Sequence, residues 1–216
     1  MHGILQDRRG DSGRGPGERK VTGILLAAGE SRRMGRPKPL LPFAGWTVLE
    51  ELVDKLRRAP LDEIVVVLGH RHEEMWPLVR GDNVRTVVNE RYADGMLSSV
   101  KAGLAGCCGQ ASAFLLALVD QPFVRVETLR GLLAAYRQGD KGIVLPRHKG
   151  EMGHPVVIDM RYRAEILQLA GDRGLAELMD RHPADVLRVD VDDAGVLRDM
   201  DTPEDYRREC ARQPGS

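Results

Sequence analysis

The sequence predicts a three-layer α/β domain of doubly wound type with a mostly parallel central sheet. Three observations predict it. Runs at 24–27, 62–68, 84–88 and 113–119 read as strands, the first two buried and the last the most apolar. Stretches with helical spacing lie between them, and strands alternating with helices give a parallel sheet with right-handed crossovers. The first run opens directly into Gly29-Glu30-Ser31-Arg32-Arg33-Met34-Gly35-Arg36-Pro37-Lys38, a small and basic segment with no hydrophobic period.

Size and composition set the bounds. A chain of 216 residues suits one such domain, burying about 70% of its unfolded surface. Lysine plus arginine and aspartate plus glutamate both number 32, and this balance argues against a nucleic-acid module, which carries a basic excess. Three cysteines without a C-x-x-C pair fit a reducing cytosol. No apolar run reaches bilayer length, and the start lacks the apolar core of a secretory signal, so a cytoplasmic protein is expected. The Gly-, Arg- and Asp-rich residues 1–19 read as a disordered leader, leaving one domain over 20–212.

In chain order, the first strand and its loop are followed by a short extended piece at 40–42. Thr47 can cap a helix carrying Val48, Leu49, Leu52, Val53 and Leu56. The strand at 62–68 ends at Gly69, with a short helix over 73–79 and a third strand at 84–88. Residues 89–95 read as loop, leading to a helix over 96–104 with Ser98 or Ser99 near its start. The most apolar strand, 113–119, stops at Asp120-Gln121-Pro122. The second half predicts a helix at 126–136, a strand at 142–146, a polar loop at 147–153 and a strand at 155–158. Helices follow at 162–169 and 175–182, then a strand at 186–191. A last helix runs from 203 to 212, with Pro203 in its first turn.

Ligands on open α/β sheets bind beyond the carboxyl ends of the strands. Three features fall there: the basic loop, the turn from Gly95 to Ser99, and Asp120. The loop reads either as a solvated basic surface or as an anion site, where glycine admits a ligand close to the backbone and Arg and Lys supply charge. It is not a Walker A loop, because Gly35 comes one position late and Pro39 stands where Ser or Thr belongs. Asp120 is either a turn residue before proline or one ligand of a divalent cation. The second carboxylate would come from 199–205, where Asp201 is also a candidate helix cap. His70 and His72 offer two imidazoles without a third and fourth ligand. His154, in a Gly-His-Pro turn, is open between a structural hydrogen bond and a ligand contact.

Taken together the motifs resemble the MobA-like nucleotidyltransferases. The opening motif L-A-A-G-x-S-x-R-M-G-x-x-K is matched by Leu26 through Lys38. The central motif is matched by Gly95-Met96-Leu97-Ser98-Ser99 and on through Leu104, the strand-end motif by Leu118-Val119-Asp120-Gln121-Pro122, and the closing motif by Asp199-Met200-Asp201-Thr202-Pro203 and on through Tyr206. Within the family the likeness is to molybdenum cofactor cytidylyltransferases, which carry Ala-Ala-Gly in the first motif and the Gly-His-Pro seen here at 153–155. Met152 stands where an arginine usually precedes that turn, and Ala176 where the later G-D-x-G-x-R pattern has its arginine.

The resemblance implies a Rossmann-like nucleotidyltransferase fold and transfer of CMP from CTP to the phosphate of molybdopterin, with magnesium as cofactor and a molybdoenzyme as downstream partner. It implies that Asp120 and Asp201 hold the metal and that Arg33 and Lys38 bind phosphates, with Lys38, Arg33 and Asp120 catalytic. Ala27, Ala28, Gly29, Ser31, Gly95 and Ser99 would bind the nucleotide, and His154 the acceptor. A sugar phosphate or phosphorylated alcohol as acceptor remains open, as does a noncatalytic nucleotide- or cofactor-binding partner of a molybdoenzyme.

Overall fold

The computed structural model describes residues 19–170 and 173–211. The predicted leader and the Gly171-Asp172 pair lie outside the described residues, apart from Arg19, whose guanidinium donates to the Tyr136 carbonyl.

The first strand, β1 (Val21–Ala27), is buried along its whole length. Two short strands, β2 (Pro42–Phe43) and β3 (Trp46–Thr47), pair antiparallel in a hairpin of their own. Helix α1 (Val48–Arg58) starts on Thr47, whose hydroxyl accepts from the Glu50 amide while Glu50 reaches back to the Thr47 amide. Satisfying two otherwise orphaned donors at once fixes where the helix begins. Then come β4 (Glu63–Leu68), the single-turn α2 (His72–Met75), β5 (Val84–Val88), α3 (Met96–Gly106) and β6 (Ala113–Leu118). The remainder is α4 (Val126–Gln138), β7 (Ile143–His148), β8 (Glu151–Met152), β9 (Val156–Asp159), α5 (Arg163–Gln168), α6 (Leu175–Arg181), β10 (Val186–Asp190) and α7 (Pro203–Cys210).

The main sheet runs β10-β7-β9-β6-β1-β4-β5, with β8 beside β7. Pairings of β1 with β4 and β6, of β4 with β5 and of β10 with β7 are parallel, whereas β9 is antiparallel to both its neighbours. Alternation along the strands sends side chains to two separate cores. Leu25, Ala27, Val66 and Leu68 pack with Leu49 and Leu56 of α1 and Leu132 and Tyr136 of α4. Ile24, Leu26, Val65 and Val67 pack on the other face with Val100 and Leu104 of α3, Ile166 and Leu178. This is the expected three-layer, mostly parallel architecture.

Three local expectations are corrected. Residues 40–42 are not a single extended piece: Lys38–Leu40 forms a 3-10 turn, and the chain then enters the β2–β3 hairpin. Ala44 and Gly45 both have positive φ there (52° and 85°), as a two-residue hairpin turn demands. The helix expected over 73–79 is α2 followed by a 3-10 turn at Trp76–Leu78, because Pro77 brings no amide hydrogen to continue it. The polar loop at 147–153 is largely a hairpin, with β7 running on to His148 and turning through Lys149 and Gly150 at positive φ to reach β8.

Candidate active site

Parallel register brings the ends of three strands together: Ala27 lies opposite Leu68, and Leu26 opposite Leu118. The chain leaving each strand is tied to its neighbour. His70 N–H donates to the Ala28 carbonyl at 3.1 Å, and Val119 N–H to the Leu26 carbonyl at 3.1 Å. Met200 N–H donates to the Asp120 carbonyl at 2.8 Å, so the closing segment docks on the end of β6.

A cavity of about 270 Å³ opens at this junction. Ala28, Gly29, Ser31 and Lys38 line it from the first loop, Gly95 and Ser99 from the start of α3, and Asp120 from the end of β6. Seven of the sequence-predicted residues are therefore gathered in one place. The loop closes on itself, since Ser31 Oγ accepts from the Lys38 amide at 3.0 Å with Ser31 in the left-handed region. That bond holds Lys38 facing inward.

Lys38 is the electrostatic centre. Its ammonium stands 2.5 Å from Asp201 Oδ1 and 3.3 Å from Asp120 Oδ2, with only 11% of its side chain exposed. Arg33, largely exposed, reaches the other Asp201 oxygen at 2.7 Å. Asp201 and Arg33 thus do not line the cavity but join it through Lys38. Burial pushes the Asp120 carboxyl above its ordinary range, against the pull of Lys38. Asp201 is held below the ordinary range by its hydrogen bond from Lys38, with the Lys38 and Arg33 charges adding and partial burial opposing. Asp120 Oδ1 is buried and accepts no hydrogen bond among the described residues, an arrangement that costs free energy unless a cation or donor completes it.

Two expectations are placed differently. The Ala27 side chain lies in the α1–α4 core on the opposite face of the sheet, so only its backbone could touch a nucleotide. His154 also lies outside the cavity lining. Its amide donates to the Val196 carbonyl at 3.0 Å, its peptide bond to Pro155 is cis, and burial lowers its pKa while the Asp120 and Asp199 charges oppose that shift. His70 packs near the Tyr92 ring, and His72 Nδ1 meets the Gly69 carbonyl. No group of three or more His, Cys, Asp or Glu suited to a metal occurs among the described residues.

Four further residues belong to the site: Met96 and Gln121 lie within the matched motifs but carry no predicted role, while Tyr92 and Asn89 lie outside them. Tyr92 and Met96 form part of the cavity wall. Gln121 Nε2 donates to Asp199 Oδ1 at 2.5 Å, fastening the residue after Asp120 to the closing segment. Asn89 is buried at the end of β5, and its amide donates to the Ser98 and Ser99 hydroxyls at 2.8 and 3.0 Å. A polar residue closing an apolar strand, as Asp120 does, was the signal available for Asn89.

The family model for the MobA-like NTP transferase domain matches residues 23–186. The chain belongs to that family. It is 36% identical over 200 residues to nicotine blue oxidoreductase of Paenarthrobacter nicotinovorans, covering 87% of this chain and 95% of that one. It is 28% identical over 186 residues to molybdenum cofactor cytidylyltransferase of Escherichia coli K12, covering 85% and 92%. Among solved structures, a Mycobacterium tuberculosis H37Rv protein superposes with a TM-score of 0.77 at 33% identity, over 90% of this chain and 99% of that one. A manganese complex of the same protein superposes at 0.74 and 31% identity, with the same coverage. Family and fold together make this a nucleotidyltransferase domain, with the cavity at the loop that follows β1. No helix among the described residues is long and apolar enough to cross a membrane.

Proposed function

We propose that this protein transfers CMP from CTP to the phosphate of a molybdopterin-type cofactor, with release of pyrophosphate. The observation that carries the reading is Lys38, held between Asp120 and Asp201 at the wall of a cavity lined by Ala28, Gly29, Ser31, Gly95 and Ser99. In the reaction an oxygen of the acceptor phosphate bonds to the α-phosphorus of CTP. The bond from that phosphorus to the oxygen bridging the β-phosphate breaks, and pyrophosphate leaves with the electron pair. Charge builds on the nonbridging oxygens and the leaving group, where Lys38 and Arg33 supply fixed positive charge. An acceptor phosphate monoester is already ionised near neutral pH, so no general base is required.

Asp120 and Asp201 suit a divalent cation, with magnesium the proposed one. The buried Asp120 Oδ1 has an unused acceptor, and magnesium prefers one or two carboxylates together with phosphate oxygens. When bound it would supply Lewis-acid neutralisation of the phosphates. The manganese complex of the M. tuberculosis neighbour supports this choice of ligand chemistry. CTP is favoured by Ala27-Ala28-Gly29 in the first motif and by the E. coli relative. His154 in its Gly-His-Pro turn is the proposed acceptor contact, and a molybdoenzyme the proposed recipient of the product.

The relative at 36% identity, a nicotine blue oxidoreductase by name, favours a second reading, oxidoreductase chemistry. Hydride transfer has no use for two carboxylates bridged by a lysine, which keeps transfer of a nucleotide first. The deciding experiment measures triphosphate binding and pyrophosphate release for each of the four nucleoside triphosphates with magnesium, alone, with molybdopterin and with a sugar phosphate, alongside oxidation of reduced nicotinamide dinucleotide. Release from CTP only when molybdopterin is present, abolished by Asp120→Asn, is the expected result. Release stimulated by a sugar phosphate instead would reassign the acceptor. Dinucleotide oxidation without pyrophosphate release would overturn the transferase reading, and triphosphate binding with neither activity would leave a binding protein.

A further inference from the structure

We infer that Asn89 sets the polarity of the Ser99 hydroxyl, leaving its proton free to donate to an acceptor atom on the nucleoside part of the bound nucleotide. The inference rests on the nucleotide reading above. Asn89 is buried at the end of β5, 6% exposed. The Arg91 backbone amide donates to its Oδ1 at 3.0 Å, and an amide N–H can only donate, so the oxygen and nitrogen of Asn89 are assigned by chemistry. Its Nδ2 then has two hydrogens and two partners: Ser98 Oγ at 2.8 Å and Ser99 Oγ at 3.0 Å. Both serine oxygens are therefore acceptors toward Asn89, and each hydroxyl has one hydrogen left to place.

The two serines differ in where that hydrogen goes. Ser98 Oγ lies 2.8 Å from the Gly95 carbonyl and 2.9 Å from the Arg91 carbonyl, so its proton is consumed within the turn. Ser99 has no acceptor for its proton among the described residues, is buried, and lines the cavity. A buried hydroxyl with its lone pair engaged and its proton unplaced is a directed donor. The matching ligand atom is a hydrogen-bond acceptor: a base carbonyl, a ring nitrogen or a ribose oxygen. Ser98 is structural, Ser99 reads the ligand, and Asn89 is the positioning residue that makes them different.

The test compares dissociation constants of CTP, deoxyCTP and inorganic tripolyphosphate for wild type, Ser98→Ala, Ser99→Ala, Asn89→Asp and the Asn89→Asp/Ser99→Ala double variant. Ser99→Ala should weaken CTP about tenfold, the scale of one hydrogen bond, without affecting tripolyphosphate. Asn89→Asp keeps the shape and the bond from Arg91 but can only accept, so it draws the Ser99 proton away from the cavity. It should match Ser99→Ala, and the double variant should be no weaker than either single one. Ser98→Ala should cost much less. If wild type discriminates against deoxyCTP and Ser99→Ala removes the discrimination, the acceptor is the ribose 2′-oxygen; equal weakening of both places it on the base or elsewhere on the sugar. Unchanged CTP affinity in Ser99→Ala, additive losses in the double variant, or an equal loss for tripolyphosphate would overturn the inference. Melting temperatures identify a variant that simply unfolds, and Ser99→Ala then decides alone. Failure of wild type to bind CTP at all would instead remove the nucleotide reading, and this inference with it.

Discussion

The Lys38 ammonium stands 2.5 Å from the Asp201 carboxylate, although 163 positions separate them in the chain. The contact closes the site, since Lys38 belongs to the loop after β1 and Asp201 to the turn before α7. Because Lys38 also reaches Asp120, one ammonium stands between two carboxylates and offsets their mutual repulsion.

Replacing Lys38 with methionine keeps the bulk of the chain and removes the charge. Two partly buried carboxylates are then left facing each other, and the expected loss of stability is about 1–3 kcal/mol, the scale for leaving a buried polar group without its partner. Urea unfolding checks this. Added magnesium should recover part of the loss in Lys38→Met and shift the wild type less, since a ligand bound only by the folded state stabilises it. A variant as stable as wild type would show that the bridge contributes nothing to the fold.

Gly69 supports the site without touching a ligand. A Cβ there would lie 2.6 Å from the Ala28 carbonyl oxygen and 2.8 Å from Tyr92 Cβ, distances that real Cβ contacts do not tolerate. Ala28 and Tyr92 are both cavity walls. Gly69→Ala should therefore displace them, costing about 1–3 kcal/mol of stability as overpacking does and weakening nucleotide binding. Calorimetric titration with CTP checks the second effect, and an unchanged affinity would show that the loop absorbs the strain.

How far the sequence revealed this site differs from residue to residue. The strands and the cap on α1 were legible because period and capping are local: Thr47 and Glu50 are three apart, and Val84–Val88 stands where its apolar run does. Ala28, Gly29, Ser31 and Lys38 were legible through the motif they share. The joining of Lys38 to Asp201 was not, because no local spacing encodes a contact made only when the segment before α7 docks at the end of β6. The hairpin at Lys149-Gly150 was hidden for a different reason. Its flanking residues are charged and do not alternate, and its turn becomes visible only through positive φ. Ala27 shows the limit of motifs: it lies within the matched segment, yet strand alternation turns its side chain to the opposite face.

The start of α7 fixes Asp201, and it is sensitive to acid. Thr202 Oγ1 accepts from the Asp205 amide, while the Asp205 carboxylate accepts from the Thr202 amide and hydroxyl. Those bonds from Thr202 lower the Asp205 pKa from 3.8 to about 2. A carboxylate with a depressed folded pKa adds stability that is complete above its unfolded value and is lost as pH falls through the folded one. The stability difference between wild type and Asp205→Ala should thus be constant above pH 5, narrow below the unfolded value, and vanish near pH 2. Melting temperatures of the two proteins across that range test it, and a pH-independent difference would mean that the box acts through geometry alone.

His154 is the proposed acceptor contact, and varying it separates acceptor binding from nucleotide binding experimentally. It lies outside the cavity that Ser99 and Ala28 line, and its backbone is pinned where Gly153 N–H donates to the Pro146 carbonyl and His154 N–H to the Val196 carbonyl. A Cβ on Gly153 would collide with that same Val196 carbonyl, so the turn tolerates no other residue there. Burial lowers the His154 pKa, so the ring is neutral at pH 7 and can offer a hydrogen bond rather than a charge. His154→Ala should raise the KM for the acceptor about tenfold, the scale of one hydrogen bond, while the dissociation constant for CTP stays within twofold of wild type. Because the folded pKa is depressed, protonation of this ring sets in only below the ordinary histidine range. Acceptor KM should accordingly be flat from pH 7 upward in the wild type. A parallel loss of CTP affinity in His154→Ala would assign the residue to the support of Asp120 rather than to the acceptor.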